Sequence, residues 1–507
     1  MSLFSLLDRT ARQWPQAGAV YRGTHCLQTW SVLRQRALSL AHTLLHNVPA
    51  SSRIAIVSEN SPHYLELMFG TWAAHQAVVP INYKLHPREM AQIILDAEPA
   101  WIFASPALAE GLQGALDSDW QPRVCVIGSP NYEHLFAGPA LTPKPTDPEA
   151  LAWLFYTSGT TGRSKGAMLS QRNLMALTLS HLADVESLDE RCSQIHAAPM
   201  SHGSGMYIPA YVARGARQVV PSSGGFEPEE FLSLCHEHTG VGAFLAPTMV
   251  QRLRQALPHP SSAPPGLRSI IYGGGPMYVQ ELKQSLAAFG QVFVQIYGQG
   301  ESPMTITWLR REDHTRTDDA ILGSVGIART GVDVRVVDSQ GQDVAAGDIG
   351  EIIVRGDVVM SGYWRNPTGT AEALRDGWLY TGDMGSRDDQ GYITLRDRSK
   401  DVVISGGSNI YPREVEEALL THPDVSEVSV VGQRDEAWGE IVIAFVVPRT
   451  GVTLRTEALD AHCLERIARF KRPKRYVVLE ALPKNSYGKV LKRSLREMLE
   501  QPLIGRP

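Results

Sequence analysis

A strand that runs directly into a loop of glycine, serine and threonine is the feature that most constrains the fold of this chain. Residues 151–155 are apolar and are typical of a buried strand. Residues 156–166 then contain three glycines within eight positions, five serine or threonine hydroxyls and the cation of Lys165. Such a loop can aim successive backbone N–H groups in one direction, so we predict that it binds a polyphosphate.

This loop differs from a Walker A loop, because Ser164 stands where that motif requires its second glycine. A flexible linker of serine and glycine is the alternative interpretation. The linker is disfavoured, since linkers rarely follow a buried strand and carry one embedded lysine. The loop alone therefore predicts phosphate binding and does not name a reaction.

The combination of a strand and a glycine turn recurs along the chain. Apolar segments that predict strands lie at 53–58, 77–81, 193–200, 241–247, 269–276 and 292–301, the last two ending in glycine turns. A helix is predicted at 62–74, and this alternation is typical of an α/β fold with a mostly parallel sheet. Because loops at the carboxyl ends of parallel strands form the ligand crevice, we expect these turns to converge.

The length of the chain, 507 residues, exceeds what one hydrophobic core usually supports. From about 320 to 396 short strands, as at 332–338 and 350–355, predict a small antiparallel sheet or barrel. A smaller α/β unit follows, with helices at 412–420 and 456–467 and strands at 425–431 and 441–447. We predict an N-terminal domain over 1–397, a hinge over 398–401 and a mobile C-terminal domain over 402–507.

Composition excludes several classes of protein. A net charge of −5 and a pI of about 6.4 give no polyanion-binding signature, so nucleic acid is not expected as a partner. Residues 1–14 are typical of an amphipathic helix and not of a signal peptide, and no apolar run approaches the roughly 20 residues that span a bilayer. Five scattered cysteines predict neither a disulfide framework nor a zinc site, and they favour the cytoplasm. The oligomeric state stays open, with a homodimer as one option.

Five motifs, in matching order and spacing, resemble those of the adenylate-forming (AMP-binding) acyl-CoA synthetase superfamily. They are the phosphate loop, 297–301, 380–383, 398–410 and 482–489. Each motif is weak alone, but five in register are specific, and the resemblance covers nearly the whole chain. It implies two half-reactions: a carboxylate attacks the α-phosphate of ATP to give an acyl-adenylate and pyrophosphate, and a thiol, usually coenzyme A, then displaces AMP.

The same resemblance implies the residues of an ATP site. It implies that the phosphates of ATP are bound by Thr157, Ser158, Gly159, Thr160, Thr161, Gly162 and Lys165. It implies an adenine pocket formed by Gly274, Gly275, Pro276, Gln295 and Tyr297, with Gly298 and Gln299 as further nucleotide-binding residues. Mg²⁺, a hard cation, is expected on Thr160 and Glu301. Because negative charge accumulates during phosphoryl attack, cations must be in place beforehand, and Lys489 is the one implied at the carboxylate and the α-phosphate.

Two further residues complete the implied nucleotide site. Asp383 resembles the carboxylate that binds the ribose hydroxyls, and Arg398 would reach the ribose and the phosphates. Each assignment has a structural alternative. Asp383 is also typical of a turn, Tyr297 of a core aromatic residue, and Lys489 of a solvated lysine in a basic tail.

One position departs from the family pattern. The family usually has threonine or serine directly before the glutamate of the Tyr-Gly-x-x-Glu motif, and this chain has Gly300. The missing hydroxyl would remove one hydrogen bond to the α-phosphate, worth about 0.5–1.5 kcal/mol. We expect slower adenylation unless Gln299 or a backbone N–H replaces that bond.

The C-terminal part favours coenzyme A as the thiol. Residues 470–475 combine an aromatic face with four cations, a plausible platform for adenine and the 3′-phosphate. The resemblance implies contacts to coenzyme A from Gly406, Gly407, Trp438, Phe470, Arg472 and Lys84, and a hinge at Lys400. A solvated basic edge is the alternative for 470–475.

The resemblance also implies a pocket for the acid. Its lining is expected from His202, Gly203, Met206, Tyr207, Ala246, Gly273, Gly298 and Met304. His202 resembles the residue that closes the pocket near the carboxylate in many acyl- and aryl-CoA ligases, and a structural histidine is the alternative. Residues 201–207 carry no carboxylate to pair with an ammonium group, so an α-amino acid is disfavoured.

These observations predict a carboxylic acid–CoA ligase that uses ATP, Mg²⁺ and coenzyme A and acts on an aryl, medium-chain or branched acid. One alternative is an adenylating ligase that loads the phosphopantetheine arm of a carrier protein. Another is a nucleotide-binding protein that has lost catalysis. The second is disfavoured because Lys489, Glu301, Asp383 and Arg398 are all present.

Overall fold

A computed structural model describes residues 2–157, 164–257, 263–398, 401–405, 408–436, 438–485 and 489–500. The chain divides into two compact units. The first contains Met1–Met277, Glu281–Val334 and Val354–Tyr380, and the second contains Tyr278–Gln280, Arg335–Ile353 and Thr381–Pro507.

The largest sheet belongs to the first unit and, within the described residues, has nine strands. In spatial order they are Ile327–Ala328, Thr307–Leu309, Phe293–Tyr297, Leu267–Tyr272, Val241–Leu245, Ser193–Ile195, Arg217–Val220, Gly18–Arg22 and His25–Thr29. The strands from Phe293–Tyr297 through Gly18–Arg22 pair in parallel, so their carboxyl ends meet at one edge of the sheet.

A second sheet of the first unit has six strands within the same described ranges. Their order is Val124–Val126, Trp101–Ala104, Arg53–Val57, Ala77–Ile81, Leu151–Thr157 and Lys165–Ser170. All neighbours pair in parallel except the last two, which form an antiparallel hairpin around the predicted phosphate loop. In the centre of the sheet, Pro80 faces Ile56, and the adjoining ladder to Leu151–Thr157 consists of the single pair Val78 and Trp153.

Shorter strands follow in the later part of the chain. In one sheet the spatial order is Val332–Val337, Ile349–Gly356, Trp378–Arg387 and Leu374–Arg375, and Ile393–Arg398 also pairs with Trp378–Arg387. In the other sheet the order is Ser408–Ile410, Val403–Ser405, Gly439–Pro448 and Val425–Asp435, and Arg475–Val478 also pairs with Gly439–Pro448. The pairing at 374–398 is antiparallel, as predicted. The predicted α/β class with a small antiparallel sheet is confirmed.

Helices cover the sheets, and proline starts many of them. The α-helices are Phe4–Gln13, Trp30–Asn47, His63–Ala73, Pro87–Ala97, Pro106–Ala115, Pro130–His134, Gln171–Ser180, Gly203–Met206, Ile208–Val212, Pro228–Glu237, Pro247–Gln255, Val279–Phe289, Asp319–Leu322, Pro367–Ala373, Pro412–Leu420, Thr456–Leu464 and Lys492–Glu500. Short 3₁₀ turns lie at Gln121–Arg123 and Glu312–Thr315, and a π-helical turn at His181–Val185. A proline in the first turn has no N–H to leave unpaired and a φ angle suited to the helix.

Most predicted elements lie where the sequence placed them, and one strand is shorter. The predicted strand at 193–200 ends at Ile195. Beyond that point the backbone hydrogen-bonds to the side chain of Asn60. The amide nitrogen of Asn60 donates to the carbonyls of His196 and Ala198 at 2.7 and 3.0 Å, and its amide oxygen accepts from the N–H of Met200 at 2.8 Å.

Among the described residues, no helix is both long and apolar enough to cross a membrane.

A buried ion pair gives the first unit a pH-dependent stability. The Glu66 carboxylate is fully buried, and it accepts hydrogen bonds from Arg36 and from the Tyr132 hydroxyl. Burial alone would raise the pKa of Glu66, but the hydrogen bonds from His63 and Arg36 outweigh it and lower the pKa to about 2.

We expect Glu66→Gln to lower the free energy of unfolding at pH 7 by about 3 kcal/mol, because it leaves the Arg36 charge without its buried partner. Urea denaturation measures this. The deficit should shrink as the pH falls from about 4 towards 2, since a carboxyl with a lowered folded pKa loses its contribution there. Glu133→Gln, at the half-exposed partner of the same arginine, should cost less than about 1 kcal/mol. Equal losses for the two variants would contradict this account.

Candidate nucleotide and acid site

Two neighbouring strands of the nine-stranded sheet bring the predicted adenine residues together. Leu267–Tyr272 and Phe293–Tyr297 run in parallel, with Tyr272 opposite Gln295. The Tyr272 hydroxyl donates to the side-chain oxygen of Gln295 at 3.4 Å. The turn after the first strand holds Gly274 at a φ of +80°, a conformation that favours glycine, and Gly275 and Pro276 follow it.

The glycines at the ends of these strands let backbone segments approach closely. A Cβ atom at Gly273 would lie 2.5 Å from the carbonyl oxygen of Ile296, and one at Gly298 would lie 2.6 Å from the nitrogen of Met304. The N–H of Gln299 donates to the carbonyl of Ser302 at 3.1 Å, which closes the turn after Tyr297. Larger residues at 273 or 298 would push the turns apart.

Glu301 lies in the same turn and accepts hydrogen bonds from Tyr363 and Met360. Its carboxylate oxygen Oε1 accepts from the hydroxyl of Tyr363 at 2.6 Å, and its carbonyl accepts from the N–H of Met360 at 2.8 Å. Tyr363 itself pairs as an isolated bridge with Ala167 of the strand Lys165–Ser170. The Tyr363 hydroxyl thus connects the candidate magnesium ligand to the hairpin of the phosphate loop.

The same tyrosine contacts the cation of the phosphate loop. The Nζ atom of Lys165 lies 5.1 Å from the centroid of the Tyr363 ring, within range of a cation–π interaction. Thr157 ends the preceding strand. The other predicted loop residues, Ser158, Gly159, Thr160, Thr161 and Gly162, lie outside the described residues. Sequence reasoning did not find Tyr363, and its only local signal was the aromatic pair that it forms with Trp364 after a glycine.

His202 is partly exposed and lies beside an aromatic ring. Burial lowers the pKa of its imidazole to about 4, so the ring is neutral at pH 7. The ring centroids of His202 and Phe155 are 4.9 Å apart, and Nδ1 of His202 lies 3.0 Å from the hydroxyl of Ser201. The structural alternative and the predicted role in closing the pocket are both compatible with this setting, and the role stays a prediction.

The position of Gly300 explains why this chain has no side chain there. A Cβ atom at Gly300 would lie 2.4 Å from the Cγ2 methyl of Thr157 and 2.8 Å from Cδ1 of Phe155. Real Cβ atoms do not approach heavy atoms that closely, so the methyl and the ring already fill the space of a hydroxyl-bearing side chain. Phe155 therefore contacts both Gly300 and His202, a link that the sequence did not reveal.

Three predicted acid-pocket residues, Ala246, Gly273 and Gly298, directly follow the carboxyl ends of strands of the nine-stranded sheet. A Cβ atom at Gly203 would lie 2.5 Å from Phe244 and 2.7 Å from the Cε methyl of Met304. Met206 and Tyr207 are buried on the short helical segment after His202. Ala246 directly precedes the helix Pro247–Gln255 at the end of the strand Val241–Leu245.

In the second unit, Asp383 and Arg398 face each other across an antiparallel ladder. They are register partners in the strands Trp378–Arg387 and Ile393–Arg398, and Nε of the arginine lies 3.1 Å from Oδ1 of the aspartate. Asp383 is largely buried, whereas about two-fifths of the arginine side chain is exposed. The pair presents a carboxylate and a guanidinium at one point, and its role in binding ribose stays a prediction.

Lys489 forms two hydrogen bonds with Asn485 through its backbone. Its N–H donates to the side chain of Asn485 at 2.9 Å, and its carbonyl accepts from the N–H of the same residue at 2.8 Å. These bonds fix the backbone of Lys489.

The residues predicted to bind coenzyme A have varied surroundings. Phe470 and Trp438 are half exposed, and Nζ of Lys474 lies 5.4 Å from the centroid of the Trp438 ring. Arg472 forms an ion pair with Asp460 at 2.5 Å. Lys84 belongs to the first unit, where burial lowers its pKa. Gly406, Gly407 and the predicted hinge residue Lys400 lie outside the described residues.

Two family models match the chain. The model described as AMP-binding enzyme covers residues 7–364, and the model described as AMP-binding enzyme C-terminal domain covers residues 414–489. The first alone spans more than half of the chain.

Curated relatives and solved structures agree with these matches. The chain is 35% identical to a feruloyl-CoA synthase of an Amycolatopsis species over 96% of this chain and 97% of that protein. It is 33% identical to an indoleacetate–CoA ligase of Aromatoleum aromaticum over 88% of each. The crystal structure of ATP-bound MatB from Rhodopseudomonas palustris superimposes with a TM-score of 0.89 at 30% identity, covering 99% of both chains.

We expect Gly300→Ala to lower the free energy of unfolding by about 1–3 kcal/mol, because the new methyl overlaps Thr157 and Phe155. Adding Thr157→Ser removes the nearest methyl and should recover part of that loss, a coupling that urea denaturation of the two single variants and the double variant measures. Gly275→Ala is the matched control, since its new Cβ would meet nothing closer than 3.9 Å. An equal loss at 275 and 300 would contradict the packing explanation.

Proposed function

This chain belongs to the AMP-binding enzyme family and is an acid–thiol ligase of the acyl-CoA synthetase type, and we propose that it activates a carboxylic acid through an acyl-adenylate and transfers the acyl group to coenzyme A. In the first half-reaction a carboxylate oxygen of the acid bonds to the α-phosphorus of ATP and pyrophosphate leaves. In the second, the thiol sulfur bonds to the acyl carbon and AMP leaves. The acid is an aryl, medium-chain or branched carboxylic acid.

One observation carries this proposal. The strand ends that hold Gly274, Gln295 and Glu301 meet the hairpin of the phosphate loop through the Tyr363 hydroxyl. Groups suited to adenine, to a metal ion and to phosphates therefore belong to one rigid frame. Fixed polar groups of this kind stabilise developing charge without reorganisation.

Glu301 is suited to hold Mg²⁺ together with the phosphates. Tyr363 occupies Oε1 of Glu301, whereas Oε2 has no hydrogen-bond partner among the described residues, and carboxylate oxygens are preferred ligands of this ion. No group of three or more acidic, histidine or cysteine side chains in the described ranges forms a metal site by itself. Mg²⁺ would therefore rely on ATP for most of its ligands, and it would neutralise phosphate charge.

His202 acts in this proposal as an uncharged wall of the pocket. Its lowered pKa, about 4, keeps the imidazole neutral at physiological pH, so it neither attracts the acid by charge nor serves as an acid catalyst there. Phe155 packs on it and completes an apolar surface next to the reacting carboxylate.

Coenzyme A is proposed as the acceptor thiol on the basis of residues at the surface of the second unit. Half-exposed aromatic rings at Trp438 and Phe470 lie in a part of the chain rich in lysine and arginine, which suits a nucleotide with a 3′-phosphate. A carrier protein, which presents no 3′-phosphate, is the alternative acceptor. A nucleotide-binding protein without catalysis is the remaining alternative.

The proposal is tested by incubating the protein with ATP, Mg²⁺, coenzyme A and a pool of aliphatic, aryl and dicarboxylic acids, followed by mass spectrometry of the products. An acyl-CoA together with AMP is the expected result. Acyl-adenylate or AMP without a thioester would point to a carrier-protein acceptor. The absence of ATP consumption with every acid would contradict the proposal.

We expect Lys489→Ala to lower the rate of acyl-adenylate formation by about 100-fold or more, because a cation at the α-phosphate stabilises the transition state. Thioester formation from supplied acyl-adenylate should change little. Pyrophosphate release and thioester formation are measured separately. Lys484→Ala is the matched control: this lysine lies in the same segment but pairs with Glu427, and its loss should spare both steps. Equal loss of both steps in the Lys489 variant would refute this division of roles.

We expect Arg472→Ala to raise the KM for coenzyme A by about tenfold and to spare adenylation, because a charged hydrogen bond to phosphate is lost. Arg472 forms an ion pair with Asp460, so a purely structural role predicts a lower thermal stability instead. Arg466→Ala, at an exposed arginine paired with Glu465, serves as the control. Unchanged kinetics for coenzyme A would remove Arg472 from the site.

A further inference from the structure

Behind the acid pocket lies a group of charged and hydroxyl-bearing side chains that the proposed chemistry does not use. We call it the buried polar cluster, and it consists of His181, Asp184, Glu186, Tyr207, Tyr211 and Arg329. His181 is fully buried, and Glu186, Tyr207, Tyr211 and Arg329 are between 1% and 4% exposed. Burial of so many polar groups is costly unless they are paired.

An irregular helix places this cluster. The helix Gln171–Ser180 continues into the π-helical turn His181–Val185, which carries two members of the cluster. Such turns insert a residue into a helix and are frequent at functional sites. Across the sheet, Gly242 leaves room for the cluster, because a Cβ atom there would lie 3.0 Å from Oε2 of Glu186.

Part of the cluster is paired internally. Nε of Arg329 lies 2.8 Å from Oδ2 of Asp184, and that aspartate also accepts hydrogen bonds from the N–H and the hydroxyl of Thr330 at 2.9 and 2.6 Å. The Tyr211 hydroxyl donates to Oε2 of Glu186. These contacts explain why the cluster stays in place.

Other atoms of the cluster have no partner. Within the described residues, no hydrogen bond reaches the Tyr207 hydroxyl, Nη2 of Arg329, Oε1 of Glu186 or either ring nitrogen of His181, whose Nε2 lies 3.6 Å from Glu186. Buried polar atoms in native proteins are nearly always paired with protein, water or ligand. Several orphaned atoms in one cluster therefore indicate a polar guest.

The cluster adjoins the acid pocket through Tyr207. The centroid of its ring lies 4.6 Å from that of His181 on one side and 6.3 Å from that of Phe244 on the other. Phe244 and Met304 are the side chains packed against Gly203 in the pocket, and Nη1 of Arg329 lies 3.5 Å from the carbonyl of Met304. Tyr207 thus lies between the cluster and the side chains that pack against Gly203.

The charges of the cluster limit the chemistry of that guest. Burial opposes ionisation of Glu186, but the nearby imidazole of His181 and the hydrogen bond from the Tyr211 hydroxyl keep its pKa below the usual value, and burial lowers the pKa of His181. Glu186 and Asp184 are therefore anionic, Arg329 is cationic and His181 is neutral, and the charge of Arg311 also acts on Glu186. The charges of both signs therefore offset one another. Orphaned donors and an orphaned acceptor together suit a neutral group that both accepts and donates hydrogen bonds.

We propose that the acid substrate carries a hydroxyl group at the end remote from its carboxylate, and that Tyr207 is the residue that recognises this hydroxyl. The inference rests on the proposed ligase function and names its substrate class. Arg329 and Glu186 lie near enough to Tyr207 for their charges to act on its hydroxyl. A site built to bond a hydroxyl rejects the analogue that lacks it, because its own polar groups then stay unpaired.

The test compares matched acids that differ in one hydroxyl: 4-hydroxycinnamate with cinnamate, 4-hydroxybenzoate with benzoate, and 6-hydroxyhexanoate with hexanoate. The readout is the ratio of kcat/KM within each pair, from AMP formation in the full-length protein with ATP, Mg²⁺ and coenzyme A. In at least one pair the hydroxylated acid should be favoured by about tenfold or more. Tyr207→Phe should reduce that ratio about tenfold. Tyr64→Phe, which removes another fully buried tyrosine hydroxyl, should leave it unchanged.

The outcomes separate this inference from the proposed function. Turnover of the acids with no preference for a hydroxyl in any pair would overturn the inference and leave the ligase function standing. A preference that survives in Tyr207→Phe would overturn the role of Tyr207. Failure to consume any acid would overturn the ligase proposal, and the inference would fall with it. The ratio in the unaltered protein decides the substrate class even if the variant does not fold.

Discussion

The hydrogen bond from the Tyr363 hydroxyl to Glu301 is the contact on which the candidate site depends. Glu301 follows a strand of the nine-stranded sheet, and Tyr363 lies along the hairpin of the six-stranded sheet. The bond therefore joins the two sheets. Nζ of Lys165 also lies 5.1 Å from the centroid of the same ring, so one aromatic side chain contacts both a cation and an anion that the sequence assigns to the phosphate site.

Local sequence was enough to predict the α/β fold and the turns that carry the motifs. Apolar periodicity and glycine spacing are properties of neighbouring residues, and they located the strands that end at Tyr272 and Tyr297. Contacts between distant residues escaped prediction. The hydrogen bonds of Asn60 to the segment after Ile195 join residues more than 130 positions apart, and no local sequence pattern indicates them.

The departure from the family pattern at Gly300 has a cause in side-chain packing. From sequence the glycine appeared only as a lost hydroxyl. In the fold, Thr157 and Phe155 occupy its space, so the loss is tied to the shape of the pocket. Desolvation acts in the same region, since it keeps His202 and His181 neutral and leaves the charged members of the buried polar cluster to one another. Side-chain packing around Gly300 and the desolvation of the histidines therefore determine the properties of this pocket.

Pro80 has a consequence for motion at the phosphate loop. It lies in a central strand and cannot donate to a ladder, and the adjoining ladder to Leu151–Thr157 is one residue pair long. The last residues of that strand, Phe155 to Thr157, are therefore held by one antiparallel neighbour alone among the described strands. The end of this strand thus depends on its own antiparallel ladder for backbone hydrogen bonds, and local opening of that ladder does not require the parallel sheet to unfold.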